Sequence, residues 1–209
     1  MYKYNLAESF GVYKWSIDFE NIHNNSVMYT NITGGDWKNI INPKSGITIH
    51  IHRLEEERAD LIVYLEKFNI LLIAEAKDSI EKLYNDLNKH VDVMNNLLPV
   101  FANEKKGWSR KNSTSLIIPT LLWCSDKIKT SSQVVDSLFN TFSNSIKNKL
   151  KISLSLMIGL EVVRDEKMTL TTHSTIYHNN TNKVLINDLT KEIKGITGSE
   201  CRVNNQINF

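Results

Sequence analysis

The chain has few of the residues that reinforce small or extracellular folds. Among its 209 residues there are two cysteines, eight glycines and three prolines. Cys124 and Cys201 cannot form a disulfide framework, so we interpret both as free thiols in a reducing compartment and expect a cytoplasmic protein. No apolar stretch approaches the roughly 18 residues of a membrane span, and the first residues lack the apolar segment of a signal peptide. These absences predict a protein with no membrane partner.

A large excess of charge of either sign is missing as well. Lysine and arginine total 25 against 23 aspartate and glutamate residues, which leaves a net charge of +2. This balance neither indicates nor excludes a polyanionic partner, because any basic surface must be local. With 41% hydrophobic and 23% charged residues the chain is typical of a globular protein. Its length is enough for a sizeable core without disulfides or a structural metal, and we expect a single domain.

Hydrophobic periodicity predicts an alternation of strands and helices. The gap between the second and third predicted strands is too short for a helical crossover, so they should form an antiparallel hairpin. Asp78, followed by Glu81, predicts the capped start of a helix, and Pro119 predicts an edge strand or a bulge. The order predicts an α/β fold with a central mixed β-sheet flanked by α-helices. The predicted strands are 47–51, 58–65, 68–77, 116–123, 152–163 and 168–176, and the predicted helices are 78–98, one opening at residue 130, and 184–193.

Three polar residues interrupt the apolar hairpin: Asp60, Glu75 and Lys77. Glu75 and Lys77 are two residues apart on one strand and therefore share a face of the sheet. If the turn is centred between Lys67 and Phe68, Asp60 lies directly opposite Glu75, with Cβ atoms about 5 Å apart. The sequence thus predicts two facing carboxylates with a lysine beside them.

Facing carboxylates in a sheet of Ile, Leu and Val repel each other, and a divalent cation removes that repulsion. Hard oxygen ligands favour Mg²⁺, which keeps several waters and binds one or two carboxylates together with substrate phosphates. Lys77 is suited to orient or deprotonate a metal-activated water, or to offset charge on phosphorus. The set predicts hydrolysis of a phosphodiester. The alternative is a solvated strand end whose acidic pair has only a structural role.

The polar loop over residues 103–113 concentrates positive charge around one tryptophan. Its cations suit contacts with phosphates, and the indole suits stacking on a base or sugar. The alternative is a solvated loop whose tryptophan packs against the core. The candidate DNA-binding residues are Lys105, Lys106, Trp108, Arg110 and Lys111.

Arg58-Ala59-Asp60, followed after fourteen residues by Glu75-Ala76-Lys77, resembles the motif of the PD-(D/E)xK nuclease superfamily. The best-known members of that superfamily are type II restriction endonucleases. The resemblance covers roughly residues 46–150. It includes the expected order of a three-stranded meander, a helix, a strand and a second helix. Ala59 stands where the name of the superfamily has proline, at a position that varies within it.

The resemblance implies a restriction-endonuclease-like core and a role for each motif residue. Asp60 and Glu75 would bind Mg²⁺, with Mn²⁺ as a substitute, and Lys77 would be the catalytic lysine. Ala76 would offer its backbone carbonyl to the metal. Many members add an upstream glutamate, for which the candidates here are Glu57 and Glu56, besides Glu55 and Glu20.

We therefore expect a Mg²⁺-dependent endonuclease of the type II restriction class that cuts a specific sequence in double-stranded DNA as a homodimer. A junction resolvase, a repair nuclease, a toxin or a subunit of a larger restriction enzyme are alternatives within the superfamily. A non-catalytic nucleic-acid- or protein-binding module is the alternative from another class. We expect one nuclease domain, with an N-terminal appendage (1–45), a catalytic core (46–150), and a C-terminal hairpin and tail (151–209) for DNA or dimer contacts.

Overall fold

The fold is given by a computed structural model. It describes residues 6–20, 26–29, 39–41, 48–50, 60–68, 70–102, 116–150, 156–179, 183–197 and 201–204. A 3₁₀ turn, Glu66–Phe68, links the strands Leu61–Leu65 and Ile70–Lys77. The elements of this part of the chain are α1 (Leu6–Glu20), β1 (Ser26–Tyr29), β2 (Asn39–Ile41), β3 (Thr48–His50), β4 (Leu61–Leu65), β5 (Ile70–Lys77), α2 (Ile80–Ala102), β6 (Leu116–Asp126), α3 (Ser132–Leu150), β7 (Leu156–Arg164), β8 (Leu170–His178), α4 (Lys183–Thr197) and β9 (Cys201–Asn204).

The predicted α/β architecture with a mixed sheet is confirmed. Seven strands lie in the order β1-β4-β5-β6-β7-β8-β9. β4 pairs antiparallel with both β1 and β5, and β6 pairs parallel with both β5 and β7. β8 returns antiparallel to β7 after a short turn between Arg164 and Leu170, and β9 pairs parallel to β8. The parallel strands are joined by helices, as parallel connections require.

Helices cover both faces of this sheet. α1 and α4 pack on one face, where Val12, Trp15 and Phe19 join the side chains of β4 to β8 in one hydrophobic cluster. α2 and α3 pack on the opposite face in a second cluster. α1 lies within the segment expected to be an appendage, yet its apolar side chains belong to the main core. Among the described residues, no helix is long and apolar enough to cross a membrane.

The three predicted helices are present as α2, α3 and α4. Among the apolar stripe residues with described side chains, Tyr84 is half-buried and Val134 is exposed. The others are buried: Ile80, Leu83, Leu87 and Val91 in α2, and Val135, Leu138, Phe139, Phe142 and Ile146 in α3. The start of α2 differs by one residue from the prediction, because Ser79 and not Asp78 caps it. The Ser79 hydroxyl accepts a hydrogen bond from the Lys82 backbone N–H at 3.4 Å. The Asp78 carboxylate instead binds the Lys82 side chain.

The predicted strand at 47–51 is present as Thr48–His50, but its place as the first strand of the meander is wrong. Thr48–His50 pairs with Asn39–Ile41 in a separate two-stranded sheet. The outer edge of β4 is taken by Ser26–Tyr29, with Leu61 opposite Tyr29. A four-residue edge strand is too short to show a period of two, so its non-local pairing was not visible in the sequence.

Pro119 does not mark an edge strand, because β6 pairs with β5 on one side and β7 on the other. Pro119 itself lies opposite Ile73 of β5, whereas the described pairs with β7 begin at Thr120. A proline lacks the N–H that a ladder needs. Pro119 is tolerated in β6 because the described pairs between β6 and β7 begin one residue later, so no pairing with β7 needs its missing N–H.

Candidate active site

The hairpin has the register expected from its sequence. β4 and β5 pair from Leu61 opposite Ala74 to Leu65 opposite Ile70. Asp60 and Glu75 are the next positions outward from the Leu61–Ala74 pair. The backbone N–H of Asp60 also donates to the Ala74 carbonyl at 2.9 Å, which holds Asp60 at the end of the ladder.

The Asp60 carboxylate is held against the backbone of the Glu75-Ala76-Lys77 segment. Its Oδ2 accepts a hydrogen bond from the Ala76 N–H at 2.7 Å, and the residue is only 8% exposed. Hydrogen bonds to an ionised carboxylate are stronger than those between neutral groups. The first and second halves of the predicted motif are therefore joined by a direct contact.

Glu75 is the most deeply buried acid of the motif, at 1% exposure. It points to the α2 face, since its neighbours Ala74 and Ala76 belong to the cluster on the α1 face. Oε1 accepts a hydrogen bond from Lys77 Nζ at 2.9 Å and lies 3.9 Å from Lys89 Nζ. Within the described part of the chain, Oε2 is buried without a hydrogen-bond partner.

Helix α2 contributes three side chains that sequence reasoning missed. Asp86 Oδ2 lies 3.4 Å from Lys77 Nζ, and Lys89 approaches Glu75. His90 is 1% exposed. The available signal was their spacing, because residues three and four apart share a helix face. What the spacing could not show is that this face lies over the end of β5.

His90 is sandwiched in the α2–α3 layer, with its ring stacked on Phe142 at a centroid distance of 5.0 Å. Burial lowers the pKa of His90 to about 4, and the charges of Lys77 and Lys89 act in the same direction. The charge of Glu75 and the backbone of Thr120 oppose this shift without cancelling it. His90 is therefore a neutral imidazole near pH 7.

A second buried glutamate on the same face shows how a structural carboxylate is accommodated. Glu161 lies opposite Trp123, which in turn lies opposite Lys77. Its Oε1 accepts hydrogen bonds from Ser125 Oγ at 2.6 Å, from the Thr130 N–H at 2.8 Å and from Thr130 Oγ1 at 2.7 Å. These bonds anchor the segment before α3. Among the described residues, no comparable set of backbone and hydroxyl donors surrounds Glu75.

The residues of the motif fit a hard divalent cation. Asp60 and Glu75 supply two carboxylates, and the buried Oε2 of Glu75 is an oxygen whose hydrogen-bonding capacity is unused. The described residues contain no group of three or more His, Cys, Asp or Glu that could hold a metal. Mg²⁺ does not need three such ligands, since water and substrate phosphates complete its shell.

Other predicted site residues lie outside the described part of the chain. For Glu20, which ends α1, the structure describes the backbone alone. The residues outside are the candidate acids Glu55, Glu56 and Glu57, and the candidate DNA-binding residues Lys105, Lys106, Trp108, Arg110 and Lys111.

Comparison of the chain with protein-family models, with curated proteins and with solved structures finds no match. A function can therefore be argued only from the geometry and chemistry of the site.

Proposed function

We propose that the protein is a Mg²⁺-dependent DNA endonuclease that hydrolyses phosphodiester bonds. The observation that carries this proposal is Glu75: a nearly inaccessible carboxylate beside Asp60 and Lys77, with one oxygen unpartnered within the described residues. Leaving a buried acceptor unsatisfied costs about 1–3 kcal/mol. A cost of that size is typical of a site built for a ligand. Glu161 provides the contrast, because three hydrogen bonds satisfy this buried glutamate of the same sheet without any ligand.

In this proposal Asp60 and Glu75 hold the metal, with the Ala76 carbonyl as a further ligand. When bound, Mg²⁺ would supply an activated water and neutralise charge on the phosphate. Lys77 places its ammonium group between the carboxylates of Glu75 and Asp86. An ammonium there would stabilise negative charge that develops on phosphorus.

The fold supports the same proposal. The antiparallel set β1-β4-β5, followed by α2, a parallel β6 and α3, has the order that the resemblance to PD-(D/E)xK nucleases implies. Only the identity of the first strand differs. We therefore propose a restriction-endonuclease-like core and a type II restriction activity on double-stranded DNA, carried out in the cytoplasm by a homodimer, with Mn²⁺ able to replace Mg²⁺.

Plasmid digestion tests this proposal. Purified protein is incubated with supercoiled plasmid in Mg²⁺, in Mn²⁺ or in EDTA, and nicked and linear products are measured over time. We expect metal-dependent cleavage, and a loss of at least about 100-fold in Asp60→Asn, Glu75→Gln and Lys77→Met. Glu166→Gln is the matched control, since Glu166 is an exposed acid on the β7–β8 turn. It should cleave like the wild type.

The same experiment separates the alternatives. Discrete bands from a long DNA indicate a sequence-specific enzyme, and a smear indicates a nonspecific one. A wild-type protein that retards DNA in a gel yet never cuts it with either metal would instead support the non-catalytic binding module. Thermal melts of the variants show whether lost activity comes from unfolding; Asp60→Asn and Glu75→Gln keep the size of the side chain and an oxygen acceptor for the Ala76 N–H and for Lys77.

A further inference from the structure

The two carboxylate oxygens of Glu75 meet different surroundings. Oε1 faces the cations, with Lys77 Nζ at 2.9 Å and Lys89 Nζ at 3.9 Å. Oε2 is buried, and no described residue donates a hydrogen bond to it. A ligating carboxylate usually has its second oxygen held by a hydrogen-bond donor, which orients it toward the metal. Glu75 therefore lacks a donor where one would be expected.

A buried donor without a partner lies on the helix packed over Glu75. His90 directly follows Lys89, the α2 residue that approaches Glu75. Both of its ring nitrogens are buried without a hydrogen bond among the described residues. The Thr120 backbone lies close enough to influence the ring, but no hydrogen bond of normal geometry to it is formed. Stacking on Phe142 restrains the ring plane.

The two groups are chemically complementary. A carboxylate is only an acceptor, and a neutral imidazole carries one N–H donor. They come from β5 and α2, face the same buried layer, and are both nearly inaccessible to solvent. The charged groups around His90 are Glu75, Lys77 and Lys89, and Phe142 supplies the apolar wall from α3.

We propose that His90 is a positioning residue for Glu75, whose ring donates its N–H to Oε2 through one buried water and so fixes the orientation in which the carboxylate meets the metal. The role of the metal rests on the proposed function. The pairing of donor and acceptor rests on the burial of both groups and on their unused hydrogen-bonding atoms among the described residues. His90 itself touches neither metal nor substrate in this scheme.

The test is the midpoint of metal binding, measured as the rise in melting temperature of the full chain with Mg²⁺ or Mn²⁺ concentration. His90→Phe keeps a ring against Phe142 but has no N–H. We expect its metal midpoint to increase by about 10-fold or more. His90→Gln restores a donor and should recover much of the loss. Phe142→Leu is the control, because it weakens the stack and leaves the donor in place. It should lower the melting temperature without moving the midpoint.

The outcomes separate this inference from the proposed function. A wild type whose melting temperature responds to neither metal contradicts the metal site and with it the role of His90. A normal response with an unchanged midpoint in His90→Phe overturns the His90 inference alone. An equal shift in Phe142→Leu overturns it too, because the effect would then be one of packing.

If His90→Phe does not fold, nitrogen NMR of the wild-type side chain provides the second measurement. We expect one protonated and one bare ring nitrogen at pH 7. The protonated resonance should move when Glu75 is replaced by glutamine. A resonance that is identical in wild type and Glu75→Gln overturns the proposal.

Discussion

Buried titratable side chains on the α2–α3 face are accommodated in three different ways. Glu161 is satisfied by hydroxyl and backbone donors, whereas Glu75 is paired through Oε1 with lysine side chains. His90 stays neutral, since burial lowers its pKa to about 4. Burying a charge costs free energy. Glu161 and Glu75 offset that cost with hydrogen bonds and ion pairs, whereas His90 avoids it by staying neutral.

The neutral state of His90 makes a prediction about stability and pH in metal-free protein. The pKa of histidine is about 6.5 in an unfolded chain. Burial in the fold lowers the pKa of His90 to about 4. Between these values the unfolded chain binds more protons, so the free energy of unfolding falls as the pH decreases through this window, by about 3 kcal/mol in total. Urea denaturation in EDTA from pH 7 to pH 4.5 measures this.

His90→Phe is the matched comparison, because it removes the titrating group and keeps a ring. Its free energy of unfolding should depend on pH distinctly less than that of the wild type over the same window. Parallel pH profiles for the two proteins would show that His90 is not protonated on unfolding.

At the scale of elements, the contact between α1 and β6 depends on a glycine. A Cβ atom added at Gly11 would lie 2.8 Å from Cys124 Sγ and 3.0 Å from Leu122 Cδ2. At Gly11 α1 therefore approaches the sheet so closely that a larger residue would force the side chain of Cys124 or Leu122 to move. Gly195 of α4 offers the opposite situation, because no atom of the described residues lies within 4 Å of an added Cβ.

We predict opposite signs for alanine at these two helical glycines. Gly11→Ala should destabilise the protein by about 1–3 kcal/mol through overpacking, despite the better helix propensity of alanine. Gly195→Ala should stabilise it by up to about 1 kcal/mol, because only the propensity changes. Urea denaturation of both variants checks this, and a stabilising Gly11→Ala would contradict the close packing.

At the scale of the whole molecule, one sheet connects the N-terminal helix to the last described strand. Trp15 of α1 is fully buried against the sheet, while Tyr13 on the same helix is 49% exposed. The cluster that contains Trp15 also contains residues of β4, β7 and α4. The stability of the sheet and that of α1 should therefore be coupled.

Trp15→Ala should lower the free energy of unfolding by about 3–5 kcal/mol. Helical circular dichroism and the fluorescence of the remaining tryptophans should shift together to lower urea, in one transition. Tyr13→Ala, the exposed control on the same helix, should change stability by no more than about 0.5 kcal/mol. If only a separate early phase changes in Trp15→Ala, α1 is an independent appendage.

Local patterns were enough to predict much of the fold. The turn between β4 and β5 lies within a short segment, so the apolar runs on either side determined the register that pairs Leu61 with Ala74. The same holds for α2, α3 and the β7–β8 hairpin, whose periodicity is local. The motif residues Asp60, Glu75 and Lys77 could be grouped because one hairpin carries all three.

The sequence by itself determined the hairpin, the helices and the acid pair, since these depend on residues close together in the chain. Only the tertiary structure decided that Ser26–Tyr29 borders β4, that α1 joins the core, and that Asp86, Lys89 and His90 lie over Glu75. The physical reason is that non-local contacts follow from how whole elements pack, and no short window of sequence contains both partners.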